Sequence, residues 1–185
     1  MSIRDIIRDR KNERTKKRRI EQLPHAFLGT RTPRVIYLVK NVFDQIMGPW
    51  PDPSMATCMG MLRADLDRFL ENGRIIVGHR RSRHAYMKRH DPGRDEVWEI
   101  RSRDPEPELR VFGRFAETDV FVGTACLSRD YLGDEDSRQW RDEIVRCIAD
   151  WRNLFHPYPP FRKRPLNEYI STNVISHGFV IRRSP

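Results

Sequence analysis

The sequence predicts an α+β fold in which a small central antiparallel sheet of three to four strands has two helices before it and one long amphipathic helix after it. Apolar residues recur at helical spacing in two segments before residue 73 and in one after residue 135. Between residues 97 and 127 the pattern changes to that of strands. A chain of 185 residues fits one core better than two full domains.

Three regions are predicted on this basis. Residues 1–31 form a basic N-terminal arm, which opens with a capping box of Ser2 and Asp5. Residues 32–156 form a single α+β core, and residues 157–185 form a proline-rich strap and a C-terminal tail packed on that core.

The two helices before the sheet are marked by their end signals. The first is predicted from Pro33, with apolar residues at three-to-four spacing up to Gly48. The second follows Pro53 and ends at the Asn-Gly pair of residues 72–73. We interpret the methionines on its apolar face as core residues rather than as a cofactor site.

The sheet is predicted from four runs. RIIVGH at 74–79 is followed by a hairpin of VWEIRSR at 97–103 and LRVFGRF at 109–115, and then by DVFVGTACL at 119–127. Both hairpin strands place arginines opposite an apolar face. The last run is apolar on both faces, which predicts a strand in the middle of the sheet.

The helix after the sheet has the clearest amphipathic pattern in the chain. Asp136 and Gln139 form a capping box, and large apolar residues then recur at helical spacing from Trp140 to Phe155. The helix is expected to end at the His-Pro pair of residues 156–157.

The positive charge is segregated. Residues 1–34 hold eleven Lys or Arg and four Asp or Glu, and residues 74–94 hold seven Lys or Arg and one Asp, in a chain of net charge +9. Such islands indicate an anionic partner, RNA or another nucleic acid, although a solvated surface explains them equally well. The predicted nucleic-acid-binding residues are Lys16, Lys17, Arg18, Arg19, Arg80, Arg81, Arg83, Lys88, Arg89, Arg103 and Arg110.

The hairpin also carries the residue types that metal-independent phosphodiester cleavage needs. Cleavage requires cations for the developing charge and a general acid and base. The predicted catalytic residues are Arg101 and Arg114 as cations, Glu99 as the base and His84 for proton transfer, with His79 and Tyr86 as alternatives for the last role. Cross-strand pairing of Glu99 with an arginine would explain the same pattern without catalysis.

No metal or cofactor is predicted. The histidines at 79, 84 and 90 have no cysteine or carboxylate cluster beside them, and no glycine-rich phosphate loop is present. Three widely spaced cysteines fit a reducing compartment better than a disulfide framework. Without an apolar run of about 20 residues, the expectation is a cytoplasmic protein that does not enter a membrane.

The chain resembles the RelE and HigB group of type II toxins, the ParE/RelE superfamily, over residues 97–127 and the helical lead-in. The resemblance rests on the order of elements: two helices, followed by the strands VWEIR, LRVFGRF and DVFVGTACL. The resemblance implies docking on messenger RNA, usually at the ribosome, and cleavage through the 2′-hydroxyl without a metal; other members poison gyrase. It places phosphate contacts at Arg101, Arg110 and Arg114, and it implies an antitoxin-like protein partner. The chain departs from the group in length and in the sequence SRDY at 128–131, where a basic run is usual.

Two other classes of function remain open at this stage. One is a basic nucleic-acid-binding protein without catalysis, such as a phage-derived or nucleoprotein component. The other is a structural module whose apolar strap and tail serve protein assembly. The oligomeric state is not predicted.

Overall fold

A computed structural model describes residues 2–14, 18–25, 34–79, 82–90, 93–163 and 165–177. Its α-helices are α1 (Ile3–Lys11), α2 (Lys40–Met47), α3 (Pro53–Leu70), α4 (Arg129–Leu132) and α5 (Arg138–Phe155). Short 3-10 helices cover Gly93–Asp95 and Leu166–Tyr169. The strands are β1 (Ile20–Gln22), β2 (Val35–Val39), β3 (Ile75–His79), β4 (Met87–Arg89), β5 (Trp98–Ser102), β6 (Leu109–Glu117), β7 (Val120–Ser128) and β8 (Val174–His177).

All eight strands belong to one mixed sheet of order β1-β2-β7-β6-β5-β4-β3-β8. The predicted antiparallel sheet of three to four strands was therefore wrong, although the α+β class is correct. The additional strands are short, and three pairings are parallel: β2 with β7, β3 with β4, and β3 with β8. The paired strands β2 and β7, and likewise β3 and β8, lie far apart in the sequence, so local sequence patterns do not reveal these pairings.

The first predicted helix was wrong in its N-terminal half. Residues Val35–Val39 form β2, and α2 begins only at Lys40. The run VIYLV consists of β-branched, aromatic and aliphatic residues, which suit a strand with two paired neighbours. Ile36 lies opposite Phe121 of β7, and both side chains are fully buried.

The hairpin, β7 and the two long helices were predicted correctly. In β5 and β6, Trp98 lies opposite Gly113 and Arg101 lies opposite Arg110. Strand β7 is interior, between β2 and β6. Helix α5 differs only in its cap, because the Ser137 hydroxyl accepts the hydrogen bond from the Trp140 N–H. A capping box of Ser2 and Asp5 opens α1, as predicted.

Apolar side chains cover both faces of the sheet. The larger cluster includes Trp98, Ile100 and Phe115 together with apolar residues of α3. A smaller cluster joins Phe112 of β6 to Trp140 and Cys147 of α5. Helix α5 therefore lies over the face that carries Glu99 and the hairpin arginines, and that face is not the open surface that both sequence interpretations assumed.

The N-terminal segment contributes to the same core. Ile6 and Ile7 of α1 are buried, as is Ile20, whose strand β1 pairs antiparallel with β2. No helix in the described part of the chain has the length and apolar character that a membrane span requires.

Candidate functional site

The predicted base, Glu99, lies inside the protein. Its side chain is fully buried, and His90 Nε2, Arg101 Nε and Arg110 Nε lie 3.6, 3.6 and 3.7 Å from its carboxylate oxygens. Burial alone would raise the pKa of Glu99, but His90, Arg110 and Arg101 together lower it. A carboxylate enclosed by these groups balances charge within the core and does not reach a substrate in solution.

Arg101 and Arg103 bind the protein's own backbone. Arg101 Nη1 donates to the carbonyl oxygens of Arg83 at 3.0 Å and Ala85 at 3.3 Å, and Arg103 Nη2 donates to the same two oxygens. These hydrogen bonds hold the turn before β4 against the end of the hairpin. Arg83 and His84 themselves are exposed on that turn.

Three other predicted phosphate contacts are engaged internally. Lys88 is buried and its Nζ lies 2.6 Å from Glu135 Oε1. Arg89 Nη1 donates to the Lys163 carbonyl at 3.3 Å. Arg110 is buried, pairs with Glu108 and donates to the carbonyl of Ser102 at 3.1 Å.

The remaining predicted contacts lie in the N-terminal segment and before β4. Arg18 is exposed, and Arg19 Nε lies 2.6 Å from Glu21 Oε1. Lys16, Lys17, Arg80 and Arg81 lie outside the described residues.

Arg114 of β6 has a different environment from the other hairpin arginines. Its side chain is only 5% exposed, yet no carboxylate in the described part of the chain lies within ion-pair distance. Its Nη2 donates to the Asp95 carbonyl, its Nε has no hydrogen-bond partner among the described residues, and its guanidinium lies 5.8 Å from the centroid of the Trp151 ring. Burial lowers the pKa of Arg114, but a guanidinium remains charged at neutral pH.

Arg114 borders a cleft of about 590 Å³, which we name the Arg114 cleft. Its wall is formed by the end of α5, the 3-10 helix Gly93–Asp95, the segment 156–160 and Arg162. Four arginines and one aspartate line it, so its formal charge is +3. The charged lining residues are Arg94, Asp95, Arg114, Arg152 and Arg162.

Two of the four arginines have acidic neighbours. Arg94 Nε lies 3.8 Å from Asp95 Oδ1, and Arg162 Nε lies 3.3 Å from Glu96 Oε1. Within the described residues, Arg152 resembles Arg114 in having no carboxylate at ion-pair distance, and its side chain is exposed. A buried guanidinium normally has an anionic partner, because desolvating its charge is costly. The cleft therefore has the electrostatics of an anion-binding site.

The proline-rich strap is fixed over the sheet by polar contacts. The Phe161 N–H donates to the Phe115 carbonyl at 2.8 Å, and Trp151 Nε1 donates to the Tyr158 carbonyl at 3.0 Å. The Tyr169 hydroxyl donates to buried Glu96 and accepts from the Lys163 N–H at 2.8 Å. Burial raises the pKa of Tyr169 to about 12, so the hydroxyl keeps its proton for this hydrogen bond.

Sequence reasoning identified Arg114 but missed the residues around it. Arg94, Arg152 and Arg162 come from separate elements, His156 follows the last residue of α5, and Tyr158 comes from the strap. The available signal was the segment WRNLFHPYPPFRKR at 151–164, in which basic and aromatic residues alternate next to prolines.

A second cavity, of about 940 Å³, lies between α2 and α5 above β7. Arg18 and Arg146 line it, and both are exposed. The second cavity therefore lacks the buried guanidinium that distinguishes the Arg114 cleft. Within the described residues, no group of three or more His, Cys, Asp or Glu could hold a metal ion.

Comparisons of the chain with protein-family models, with curated proteins and with solved structures found no match in any of the three.

Proposed function

We propose that this protein binds single-stranded RNA by placing phosphate in the Arg114 cleft. One observation carries the proposal: Arg114 is buried without a carboxylate partner in the described structure and borders a cleft that three further arginines line. A phosphate would supply the missing negative charge and accept hydrogen bonds from the guanidinium. The segregated basic charge of the chain supports the same class of partner.

The shape of the cleft favours a single strand. Arg114 is recessed beneath the strap and the end of α5, so the rigid backbone of a duplex would contact only the exposed arginines at the rim. A flexible strand can place one phosphate inside. Tyr158 at the same wall offers a ring for contact with a base, as is common in single-strand recognition.

The resemblance to the RelE and HigB group supports RNA as the partner. The strands that carry it, β5, β6 and β7, are antiparallel neighbours. The position of the phosphate site differs from the one that the resemblance implies. Of Arg101, Arg110 and Arg114, only Arg114 lines the proposed site.

Metal-independent RNA cleavage is the second candidate function, and the observation that favours it is His156 in the wall of the cleft. An imidazole can transfer a proton to or from a reacting oxygen, and Arg114 and Arg152 would stabilise the charge of the transition state. Glu99 takes no part in this proposal because it is fully buried.

Binding is tested by fluorescence anisotropy of a labelled single-stranded RNA in excess chelator. Arg114→Met keeps an unbranched, flexible side chain and removes its charge, and the dissociation constant is expected to rise at least about tenfold, or about 1.4 kcal/mol. Arg141→Met is the matched control. Arg141 is exposed on the same helix as Arg152, roughly 16 Å from it along the helix axis, and does not line the cleft.

Equal affinity of wild type and Arg114→Met would contradict the proposed site. Cleavage is followed in the same samples by gel electrophoresis. If the second candidate is correct, His156→Gln abolishes cleavage and leaves binding within about threefold. Cleavage that survives in His156→Gln would remove the proposed role of this imidazole.

A further inference from the structure

We infer that the Arg114 cleft is built for a terminal phosphate of an RNA strand, a phosphomonoester, rather than for a phosphodiester inside the strand. This inference rests on the proposed function and specifies its ligand. It follows from the charges that remain unpaired, from the depth of Arg114 and from the size of the cleft.

The unpaired charge of the cleft matches a dianion. In the described structure, Arg114 and Arg152 have no carboxylate partner, whereas Arg94 and Arg162 lie beside Asp95 and Glu96. A phosphomonoester carries about −1.5 to −2 charges at neutral pH, whereas an internal phosphodiester carries one. Two unpaired guanidiniums therefore complement the terminal group more completely.

The recessed position of Arg114 also favours a strand end. With 5% of its side chain exposed, Arg114 is accessible only from within the cleft. An internal phosphate has nucleotides on both sides, and both would have to enter or leave between α5 and the strap. A terminal phosphate has only one attached chain, so it can reach Arg114 while the rest of the strand stays outside.

The dimensions of the cleft agree with one terminal nucleotide. Its volume of about 590 Å³ lies within the range of roughly 300–1,000 Å³ that is typical of small-molecule pockets. Tyr158 and the prolines of the strap form the wall beside the arginines. They offer a ring and rigid apolar surface for the sugar and base.

The test compares RNA oligomers of one sequence with a 5′-phosphate, with a 3′-phosphate, and with hydroxyl groups at both ends. One phosphorylated end is expected to bind at least about tenfold more tightly than the hydroxyl form. Arg114→Met and Arg152→Gln should each abolish this preference, and Arg141→Gln should retain it. A free nucleoside monophosphate is expected to compete for the cleft, and O-phosphoserine is not.

Three results would overturn the inference in distinguishable ways. Equal affinity for all three oligomers, with binding still lost in Arg114→Met, would leave the proposed function intact and exclude a strand-end site. If every oligomer binds and Arg114→Met changes none of these affinities, the cleft itself is excluded, and with it the proposed function. Competition by O-phosphoserine as strong as that by a nucleotide would assign the site to phosphorylated protein instead.

Discussion

Arg114 and Glu99 are both buried on the α5 side of adjacent strands, but within the described residues only Glu99 has groups of opposite charge at ion-pair distance. Arg101 and Arg110 approach its carboxylate, whereas Arg114 has a backbone carbonyl and the Trp151 ring. Glu99 thus has its counter-ions within the protein, and we propose that a ligand supplies the counter-ion of Arg114. This difference separates a structural cluster from the proposed binding site among residues of one hairpin.

The first prediction contrasts the two groups by stability. Glu99→Gln should lower the free energy of unfolding by about 3–5 kcal/mol, because it leaves the surrounding cations without their buried anion. Arg114→Met should leave that free energy unchanged or higher in the absence of ligand, because it removes an unpaired buried charge. Urea denaturation measures both, and a larger loss in Arg114→Met than in Glu99→Gln would contradict the assignment.

The second prediction concerns the turn that Arg101 and Arg103 hold. Arg103→Ala removes hydrogen bonds to the carbonyls of Arg83 and Ala85. Trypsin should then cut after Arg83 several times faster, because the turn is held less firmly. The affinity for RNA should stay within about threefold, because the guanidiniums of Arg101 and Arg103 bind backbone carbonyls and not phosphate. Mass spectrometry of the early fragments identifies the site. Unchanged cleavage after Arg83, with weaker RNA binding, would instead indicate a phosphate contact at Arg103.

The third prediction is a pH dependence that originates at Glu143. Burial raises the pKa of Glu143 from 4.5 to about 7, so between these values the folded protein holds a proton that the unfolded chain has released. Stability is therefore lost as the pH rises through this window. Relative to Glu143→Gln, the wild type should lose about 2 kcal/mol between pH 5 and pH 8, once solvent screening is allowed for.

Urea denaturation of both proteins across this pH range measures the difference. Parallel stability curves for wild type and Glu143→Gln would show that Glu143 titrates in the folded protein near its ordinary pKa.

The fourth prediction concerns the link between the strap and the sheet. Tyr169→Phe removes the hydrogen bond to Glu96, a buried carboxylate that also lies 3.3 Å from Arg162 of the cleft. We expect a loss of about 1.5–3 kcal/mol in unfolding free energy, the usual magnitude for a hydrogen bond to a charged group. RNA affinity should fall as well, because Arg162 loses part of its support. A destabilised variant with full affinity would show that the strap does not position the cleft.

Local patterns in the sequence predicted the elements that have strong periodicity. The hairpin, β7, α3 and α5 each contain long runs in which spacing alone determines the buried face. Strand β3 was predicted as well, from RIIVGH at 74–79, but β2 and β8 were not. All three strands are only four or five residues long, and their register depends on distant partners, such as Val35 with Val120 and Ile75 with Val174. No local signal specifies those pairings.

The candidate site was predicted only in part for the same reason. Arg114 was visible in the alternating pattern of β6, but its burial depends on α5, which follows it in the chain. The position of Arg94, Arg152 and Arg162 around Arg114 is a property of the fold. The charge pattern likewise overestimated open phosphate contacts, because Lys88 and Arg110 are buried and paired with carboxylates.

The most direct measurement of the central claim is the stabilisation of the protein by inorganic phosphate at constant ionic strength. If an anion binds at Arg114, the free energy of unfolding of the wild type and of Arg141→Met increases with the logarithm of the phosphate concentration above the dissociation constant, by about 2.7 kcal/mol at 100 times that constant. Arg114→Met should lack this increase. The same rise in Arg114→Met as in the wild type would place the anion elsewhere and contradict the site.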